Sequence, residues 1–139
     1  MTNRILFFFF MITLFVSCSS SGKVTKDPSG QKLIFGNGGG FTGIYTTYEL
    51  CEDGSLFSLH PDQTKQLVKK LRKKQTREIF EKAGKIKLTQ PAFDHPGNMT
   101  WFIKYQAVGT VTEYKWGDSN TVVPNEIKDF YNQLNTIVK

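Results

Sequence analysis

Few side chains in this sequence have the type and spacing that catalysis or metal binding needs. The chain contains two histidines, His60 and His95, each next to a proline and neither three or four residues from another obvious ligand. Asp62 and Asp94 could complete a metal site with them only if the fold brought the two loops together. No motif supplies a nucleophile or a general base, so we expect no metal, no cofactor and no enzymatic activity. The alternative is a hydrolase in which one histidine lies beside a carboxylate in a pocket.

A glycine-rich segment contains a second pattern that could carry chemistry. Gly38, Gly40 and Gly43 formally match G-x-G-x-x-G, which elsewhere holds a pyrophosphate at the N-terminus of a helix. Here residues 41–50 are rich in β-branched and aromatic side chains and predict a strand, so we expect no nucleotide binding. Glycines permit positive φ values and close approach of the backbone. The segment is therefore interpreted either as a β-bulge that bends the sheet or as a surface for a partner, formed by Gly38, Gly39, Gly40, Phe41, Thr42 and Gly43.

Length and composition indicate one globular domain. The chain has 139 residues, of which 39% are hydrophobic and 22% charged, and this composition excludes disordered, collagen-like and coiled-coil proteins. Even without its apolar leader, the chain is long enough to bury roughly two-thirds of its unfolded surface. Folding therefore requires neither a metal nor disulfide bonds.

The N-terminal residues have the pattern of an export signal. Residues 5–16 form a twelve-residue apolar run interrupted only by Thr13, shorter than the ~20 residues that a spanning helix needs. The end of this run, residues 14–18 (LFVSC), resembles the lipobox of bacterial lipoproteins. The resemblance implies cleavage before Cys18, with diacylglycerol on its sulfur and usually a further acyl chain on the new N-terminus. A secreted protein without lipid, cleaved nearby, is the alternative.

This resemblance predicts where the protein lies and how the chain is divided. Each buried methylene group adds ~0.8 kcal/mol of membrane affinity, so several acyl chains would hold a small domain permanently at a membrane. We expect a lipoprotein anchored in the bacterial cell envelope, at either the inner or the outer membrane. The chain then divides into a signal peptide over 1–17, a flexible tether over 18–31 and a single domain over 32–139. Cys51 would have no disulfide partner, and we expect it to be a partly buried, unreactive thiol.

Strand patterns dominate the proposed domain. Apolar alternation and turn residues predict strands over 32–35, 41–50, 55–59, 99–108 and 110–116, with residues 36–40 in a loop or bulge. Together with two helices, these strands predict an α+β fold of order β-β-β-α-β-β-α. In it, a mostly antiparallel sheet of about five strands packs against the helices.

The two helices are predicted from their start and stop residues. The first begins at Pro61 and Asp62, runs to about Ala83 and stops at Gly84, and its apolar side includes Leu67 and Val68. Arg72 and Gln75 interrupt that side, so a bent helix or two shorter helices are the alternative. The second follows Pro124, where apolar residues repeat at intervals of three and four.

Positive charge is concentrated in one stretch of the sequence. Residues 65–87 contain ten Lys or Arg and two Glu, whereas the whole chain has a net charge of +6. On the first predicted helix, five cations form a stripe opposite the apolar side: Lys69, Lys70, Lys73, Lys74 and Arg77. The stripe is either a solvated helix face or a surface for anionic lipid headgroups or an acidic protein. We expect no nucleic acid partner, because the chain is exported and the stripe has no interleaved aromatic residues.

The glycine segment resembles part of a known family. The run FGNGGGFTGIYTTYEL is similar to the opening of emfourin-like proteins, small bacterial inhibitors of thermolysin-type metallopeptidases. Those proteins have a Gly-Gly-Phe-x-Gly element before a tyrosine-containing strand, and Gly39, Gly40, Phe41 and Gly43 match that element. The likeness extends over residues 33–138, through a helix, an aromatic-rich hairpin and a terminal amphipathic helix. The chain also resembles small envelope lipoproteins that share the glycine segment, from which no activity follows.

These patterns favour a lipid-anchored, non-enzymatic binding module of the bacterial cell envelope, with a protein partner contacted by residues 38–43. The family resemblance implies that this partner is a metallopeptidase. The alternative is a structural or assembly lipoprotein that uses the basic stripe to contact an anionic membrane or an acidic partner.

Overall fold

A computed structural model describes residues 30–62 and 64–139 of the chain. The expected signal peptide over 1–17, the expected lipid site Cys18 and the expected tether up to residue 29 lie outside the described residues. The described residues form seven strands, a short 3-10 turn and two α-helices: β1 (Lys32–Gly39), the turn Gly40–Thr42, β2 (Ile44–Cys51), β3 (Ser55–Leu59), β4 (Lys65–Lys70), α1 (Lys73–Thr89), β5 (Phe93–His95), β6 (Met99–Ala107), β7 (Thr110–Trp116) and α2 (Asn125–Thr136). Neither helix of this part of the chain is long and apolar enough to cross a membrane.

The strands form one sheet in the order β4-β3-β2-β1-β6-β7-β5. Neighbouring strands are antiparallel except β5, which runs parallel to β7. The α+β class, the mostly antiparallel sheet and the two helices are confirmed, but the sheet has seven strands rather than about five. The two additional strands are its edges, β4 and β5, so the order of elements is β-β-β-β-α-β-β-β-α.

The helix expected from Pro61 to about Ala83 is wrong in its first half. Residues 65–70 form the edge strand β4, and Leu67 and Val68 are 57% and 40% exposed rather than part of the core. The run KQLVKK suits a helix or a strand locally, and pairing with β3 decides between them, because tertiary contacts override intrinsic propensity.

A β-bulge interrupts the pairing of this edge strand. Leu67 and Lys69 pair with the consecutive residues Phe57 and Leu56 of β3, so Val68 is the extra residue. Bulges bend a strand and increase its twist, which makes an edge a poorer template for another strand.

The first helix also ends later than the sequence predicts. It runs from Lys73 to Thr89 and passes through Gly84, which was expected to stop it. Its buried side includes Ile79, Phe80 and Ala83, spaced as one face of a helix. The second helix, expected after Pro124, is confirmed, since α2 starts at the next residue.

The central strand β1 continues through residues that were expected to form a loop or bulge. Gly36 to Gly39 pair with β2 on one side and with β6 on the other, without a shift of register. A Cβ atom on Gly38 would lie 2.5 Å from the Cα atom of Tyr45, far inside ordinary van der Waals contact. Glycine is required at this position because β2 approaches the backbone of β1 so closely.

The hydrophobic core lies between the helices and one face of the sheet. Leu33 and Phe35 of β1 and Ile127 and Leu134 of α2 are all 0% exposed. Successive residues of a strand face opposite sides of the sheet, so Ile34, Gly36 and Gly38 of β1 lie on the other face. We term that other side of the sheet the open face.

The sheet has two ends of different structure. At the proximal end, the chain enters β1 at Lys32, beside Gln106 at the end of β6. At the tip, β1 ends at Gly39, opposite Ile44 of β2 and Met99 of β6. The seven residue steps of β1, at ~3.3 Å each, separate the two ends by about 23 Å.

The first helix crosses the proximal end of the sheet. Just before α1, the backbone N–H of Leu71 donates to the carbonyl of Gly54 in the β2–β3 turn at 2.8 Å. Near the other end of α1, Lys87 Nζ donates to Thr110 Oγ1, next to the β6–β7 turn, at 3.1 Å. Because both turns lie at the proximal end, the helix spans that end from one side of the sheet to the other.

Replacing Gly84 with alanine tests where α1 ends. A Cβ atom on Gly84 would meet no atom within 4 Å. We expect Gly84→Ala to raise the free energy of unfolding by roughly 0.5–1 kcal/mol, because glycine inside a helix is less stable than alanine. Urea unfolding followed by circular dichroism measures the change.

The matched control is Gly109→Ala, at another glycine whose Cβ would meet no atom within 4 Å but whose φ is +73°. This variant should be less stable than the wild type, since alanine is strained at positive φ. A loss of stability in Gly84→Ala as well would contradict a helix that continues through residue 84.

Candidate functional site

The glycine segment forms the turn between β1 and β2. Gly39, Gly40 and Gly43 have φ values of 107°, 67° and 62°, in the left-handed region that favours glycine. The N–H of Gly40 donates to the carbonyl of Asn98 at 2.6 Å, and the N–H of Gly43 donates to the carbonyl of Gly40 at 3.3 Å. The glycines allow the turn to form, and two backbone hydrogen bonds hold it, one within the turn and one to the segment before β6. Because β1 pairs without a register shift, it contains no β-bulge, and that interpretation of the glycines is wrong.

An exposed aromatic side chain stands in this turn. Phe41 is 107% exposed, and its neighbours Ile44, Tyr45 and Met99 are 63%, 44% and 39% exposed. We term these side chains together with residues 38–43 the tip surface. Exposed apolar groups that cluster in this way are typical of contact sites for other molecules. All six residues that the sequence singles out, 38–43, therefore lie together at the tip.

On the open face, Tyr45 of the tip surface packs against a second aromatic side chain. The rings of Tyr45 in β2 and Phe102 in β6 lie 6.2 Å apart, centroid to centroid, across the central strand. In β1 between them, Gly38 is opposite Tyr45 and Gly36 is opposite Phe102. The absence of side chains on these two glycines leaves room for the aromatic rings.

A groove of about 580 Å³ lies beside the tip surface. Its volume is within the range of ligand sites in proteins. We term it the tip groove, and its lining comes from the start of β2 and from the connection between β3 and β4: Gly43, Ile44, Tyr45, Thr47, Glu49, Leu59, His60, Pro61 and Lys65.

An ion pair between a buried glutamate and a partly exposed lysine lines the tip groove. Lys65 Nζ lies 2.7 Å from Glu49 Oε1, and the side chains are 36% and 4% exposed. A carboxylate this deeply buried requires a partner, because an unpaired charge away from water is strongly unfavourable. The ion pair therefore holds the Lys65 ammonium and the Glu49 carboxylate in fixed positions in the wall of the groove.

The one cysteine in the described residues is chemically quiet. Cys51 is 3% exposed, and its Sγ donates to Glu49 Oε1 at 3.6 Å. Burial, reinforced by the Glu49 carboxylate, raises the pKa of the Cys51 thiol to about 12. The thiol stays protonated at neutral pH and is a poor nucleophile, as the sequence predicts.

The two histidines lie far apart. His60 follows β3, whereas His95 is in β5, and five strand-to-strand steps of ~4.8 Å separate these strands by about 24 Å. Asp62, after β3, and Asp94, in β5, therefore do not meet, and the described residues contain no group of three or more His, Cys, Asp or Glu side chains suited to hold a metal.

Among the described residues, neither histidine forms an ion pair with an acidic side chain. His60 Nε2 lies 3.3 Å from Gln66 Oε1, and within 30–62 and 64–139 neither histidine side chain is hydrogen-bonded to a carboxylate. His60 shares the tip groove with Glu49, and His95 lines a second groove together with Asp118. The hydrolase alternative therefore stays a prediction.

The basic stripe is not on a single helix. Lys69 and Lys70 are on the edge strand β4, whereas Lys73, Lys74 and Arg77 are on α1. They still lie near one another, because β4 leads into α1 through only two residues. We term these five side chains the basic cluster.

Folding accounts for part of the basic cluster. Lys70 Nζ lies 3.3 Å from Asp53 Oδ2, and Arg77 Nε lies 3.6 Å from Glu81 Oε1. Lysines on an edge strand also prevent its pairing with other sheets. Lys73 and Lys74, by contrast, open a helix whose first turn contains no acidic residue, where cations are unfavourable.

No protein-family model matches the chain, and no curated protein matches it significantly. The tip surface and the tip groove are therefore interpreted from their own geometry.

Removing the cation of the Glu49–Lys65 ion pair tests the structure of the tip groove. Lys65→Met leaves the Glu49 carboxylate buried without its lysine, and we expect unfolding free energy to fall by about 3 kcal/mol. Urea unfolding at neutral pH measures the loss.

The double variant Glu49→Gln with Lys65→Met removes both charges. It should recover most of the lost stability, because no unpaired charge then remains buried. Equal losses in the single and double variants would contradict a coupled pair.

Proposed function

We propose that this chain is a lipid-anchored, non-enzymatic binding module of the bacterial cell envelope that contacts a protein partner through the tip surface. The observation that carries the proposal is Phe41, a large apolar side chain that is 107% exposed on a turn held by hydrogen bonds. Phe41 adds no buried apolar surface to the fold, so the hydrophobic core does not explain why a phenylalanine stands here. Contact with another molecule would remove its apolar surface from water.

The geometry of the turn favours tight binding. Aromatic anchors that fill a pocket on the partner contribute much of the affinity in protein interfaces. A turn already held by the hydrogen bonds of the Gly40 and Gly43 N–H groups loses less conformational freedom on binding than a turn without them. Phe41 is thus presented in a shape that requires little reorganisation.

An inhibitor of thermolysin-type metallopeptidases is the most concrete form of this proposal. The resemblance of residues 39–43 to emfourin-like proteins suggests it, and a narrow turn bearing an aromatic side chain suits a peptidase cleft with an apolar pocket. The tip groove, next to Phe41, would receive a side chain of the peptidase, with Glu49 and Lys65 as its charged positions.

Lipid attachment at Cys18 places the module in the envelope, at the inner or the outer membrane. The proposal rests on the lipobox-like residues 14–18 and on the shortness of the apolar run before them. Anchoring would confine the tip surface to the neighbourhood of one membrane and so raise its concentration near envelope partners.

Mass spectrometry of the intact native protein tests the anchor. We expect a polypeptide that begins at Cys18 and carries acyl chains, and Cys18→Ser should abolish this modification because the acceptor sulfur is lost. Cys51→Ser is the matched control and should leave the lipid in place, since that thiol is buried. An unmodified chain that begins at Met1 would contradict the proposal.

Titration against several thermolysin-type peptidases tests the inhibitor form. We expect inhibition by the wild-type protein, and Phe41→Ala should raise the inhibition constant roughly 30- to 1,000-fold, as loss of an interface anchor does. Val108→Ala is the matched control, because Val108 is 86% exposed but lies at the proximal end. Absence of inhibition by the wild type, or equal inhibition by Phe41→Ala, would overturn the peptidase form of the proposal.

A further inference from the structure

The point at which the chain enters the domain is fixed at the proximal end. Gln31, just before β1, donates its backbone N–H to Glu52 Oε2 at 3.1 Å and accepts the N–H of Glu52 on its carbonyl at 3.0 Å. The hydroxyl of Tyr105 donates to the side-chain Oε1 of Gln31 at 2.7 Å. A lipid on Cys18 would therefore be connected to this end of the sheet and not to the tip.

The basic cluster lies at the same end. Lys32, the first residue of β1, is opposite Cys51, and the β2–β3 turn that follows leads to Ser55, which is opposite Lys70. The hydrogen bond from Leu71 to the carbonyl of Gly54 then holds the start of α1 against the same turn. The chain's point of attachment and its most basic surface thus share one end of the fold.

Several of these cations are available to a ligand. Within the described residues, Asp53 and Glu81 pair with Lys70 and Arg77, whereas Lys69, Lys73 and Lys74 form no ion pair. Lys73 and Lys74 are also exposed, on the first turn of α1.

Exposed apolar side chains lie at this end as well. Val108, in the β6–β7 turn, is 86% exposed, and Leu88 beside Lys87 on α1 is also 86% exposed. The bond from Lys87 Nζ to Thr110 Oγ1 holds this part of α1 against the same turn. Surfaces that combine cations with exposed apolar groups are typical of proteins that lie on anionic membranes.

We propose that the proximal end rests on the anionic phospholipid headgroups of the anchoring membrane, with the basic cluster as the contact, so that the tip surface points away from the membrane. This inference depends on the lipid anchor proposed above. The twelve residue steps from Cys18 to Gly30 reach at most about 43 Å, so the proximal end stays within reach of the bilayer. The tip lies about 23 Å further out, at the level of soluble or membrane-bound partners.

In this orientation, one molecule could both bind a protein partner and contact an anionic membrane, two functions that the sequence presents as alternatives. Membrane contact would use the proximal end, and partner contact would use the tip, so neither blocks the other. The basic cluster would then serve to hold the tip surface in a fixed direction.

A labelling experiment on the full lipidated chain in vesicles tests this orientation. Because Cys51 is buried and Cys18 is acylated in the proposed form, a fluorophore can be attached to one introduced cysteine, either Gln75→Cys on α1 or Thr42→Cys at the tip. The vesicles contain phosphatidylcholine with or without phosphatidylglycerol, and a quencher is carried on lipid headgroups.

In vesicles with phosphatidylglycerol, we expect quenching at residue 75 to exceed quenching at residue 42 by roughly threefold or more, because lysines are attracted to anionic headgroups. In phosphatidylcholine alone, or near 1 M salt, where the Debye length is ~3 Å, the difference should disappear.

Two charge-reversal variants complete the test. Lys73→Glu with Lys74→Glu should remove the difference between the labels, whereas Lys128→Glu with Lys139→Glu changes the net charge equally and should leave it. Circular dichroism checks that both variants are folded.

Equal quenching of the two labels in phosphatidylglycerol vesicles would overturn the inference. Quenching at residue 75 that depends on Lys73 and Lys74 but not on lipid charge would overturn it too, because the lysines would then not be contacting anionic headgroups. Failure of the wild-type chain to carry lipid or to float with vesicles would instead contradict the proposed anchor, so the two failures are distinguishable.

Discussion

The position of β1 in the middle of the sheet is the constraint on which the rest of the structure depends. Leu33 and Phe35 on one face of this strand form the centre of the core, and both are 0% exposed. On the other face, Gly36 and Gly38 allow β2 and its Tyr45 side chain to approach the backbone. One face of β1 therefore requires large apolar side chains, whereas the other face requires glycines without side chains. The tip surface lies at one end of the strand, and the basic cluster lies at the other end.

Elements with a strong local pattern could be predicted from the sequence, and the others could not. The hairpin over β6 and β7, with its turn at Gly109, and the helix after Pro124 follow from apolar alternation and three-to-four spacing. The run KQLVKKLRKK has no spacing that separates a strand from a helix, because its lysines and aliphatic residues suit a helix or an edge strand equally. Only its pairing with β3, a non-local contact, makes its first residues a strand.

The candidate site was predicted in part for the same physical reason. Residues 38–43 are contiguous, so their composition identified them as a unit before their structure was known. The tip groove depends instead on Glu49 and Lys65, which are 16 positions apart and meet only after three strands have paired. Three of the residues 36–39 are glycines, which are disfavoured in sheets, so the sequence predicts a loop or bulge there. The close approach of β2, which requires glycines in β1, cannot be predicted from the sequence.

If the chain is anchored to a membrane as proposed, the bulged, lysine-bearing edge strand β4 affects how neighbouring copies meet. Molecules confined to a plane meet one another sideways far more often than molecules in free solution, and exposed strand edges are the parts of a sheet that join on such encounters. In β4, the bulge at Val68 and the charges of Lys65, Lys69 and Lys70 make that joining unfavourable. A dense layer of these molecules could therefore remain a layer of separate domains, each with its own accessible aromatic tip, rather than growing into a continuous sheet.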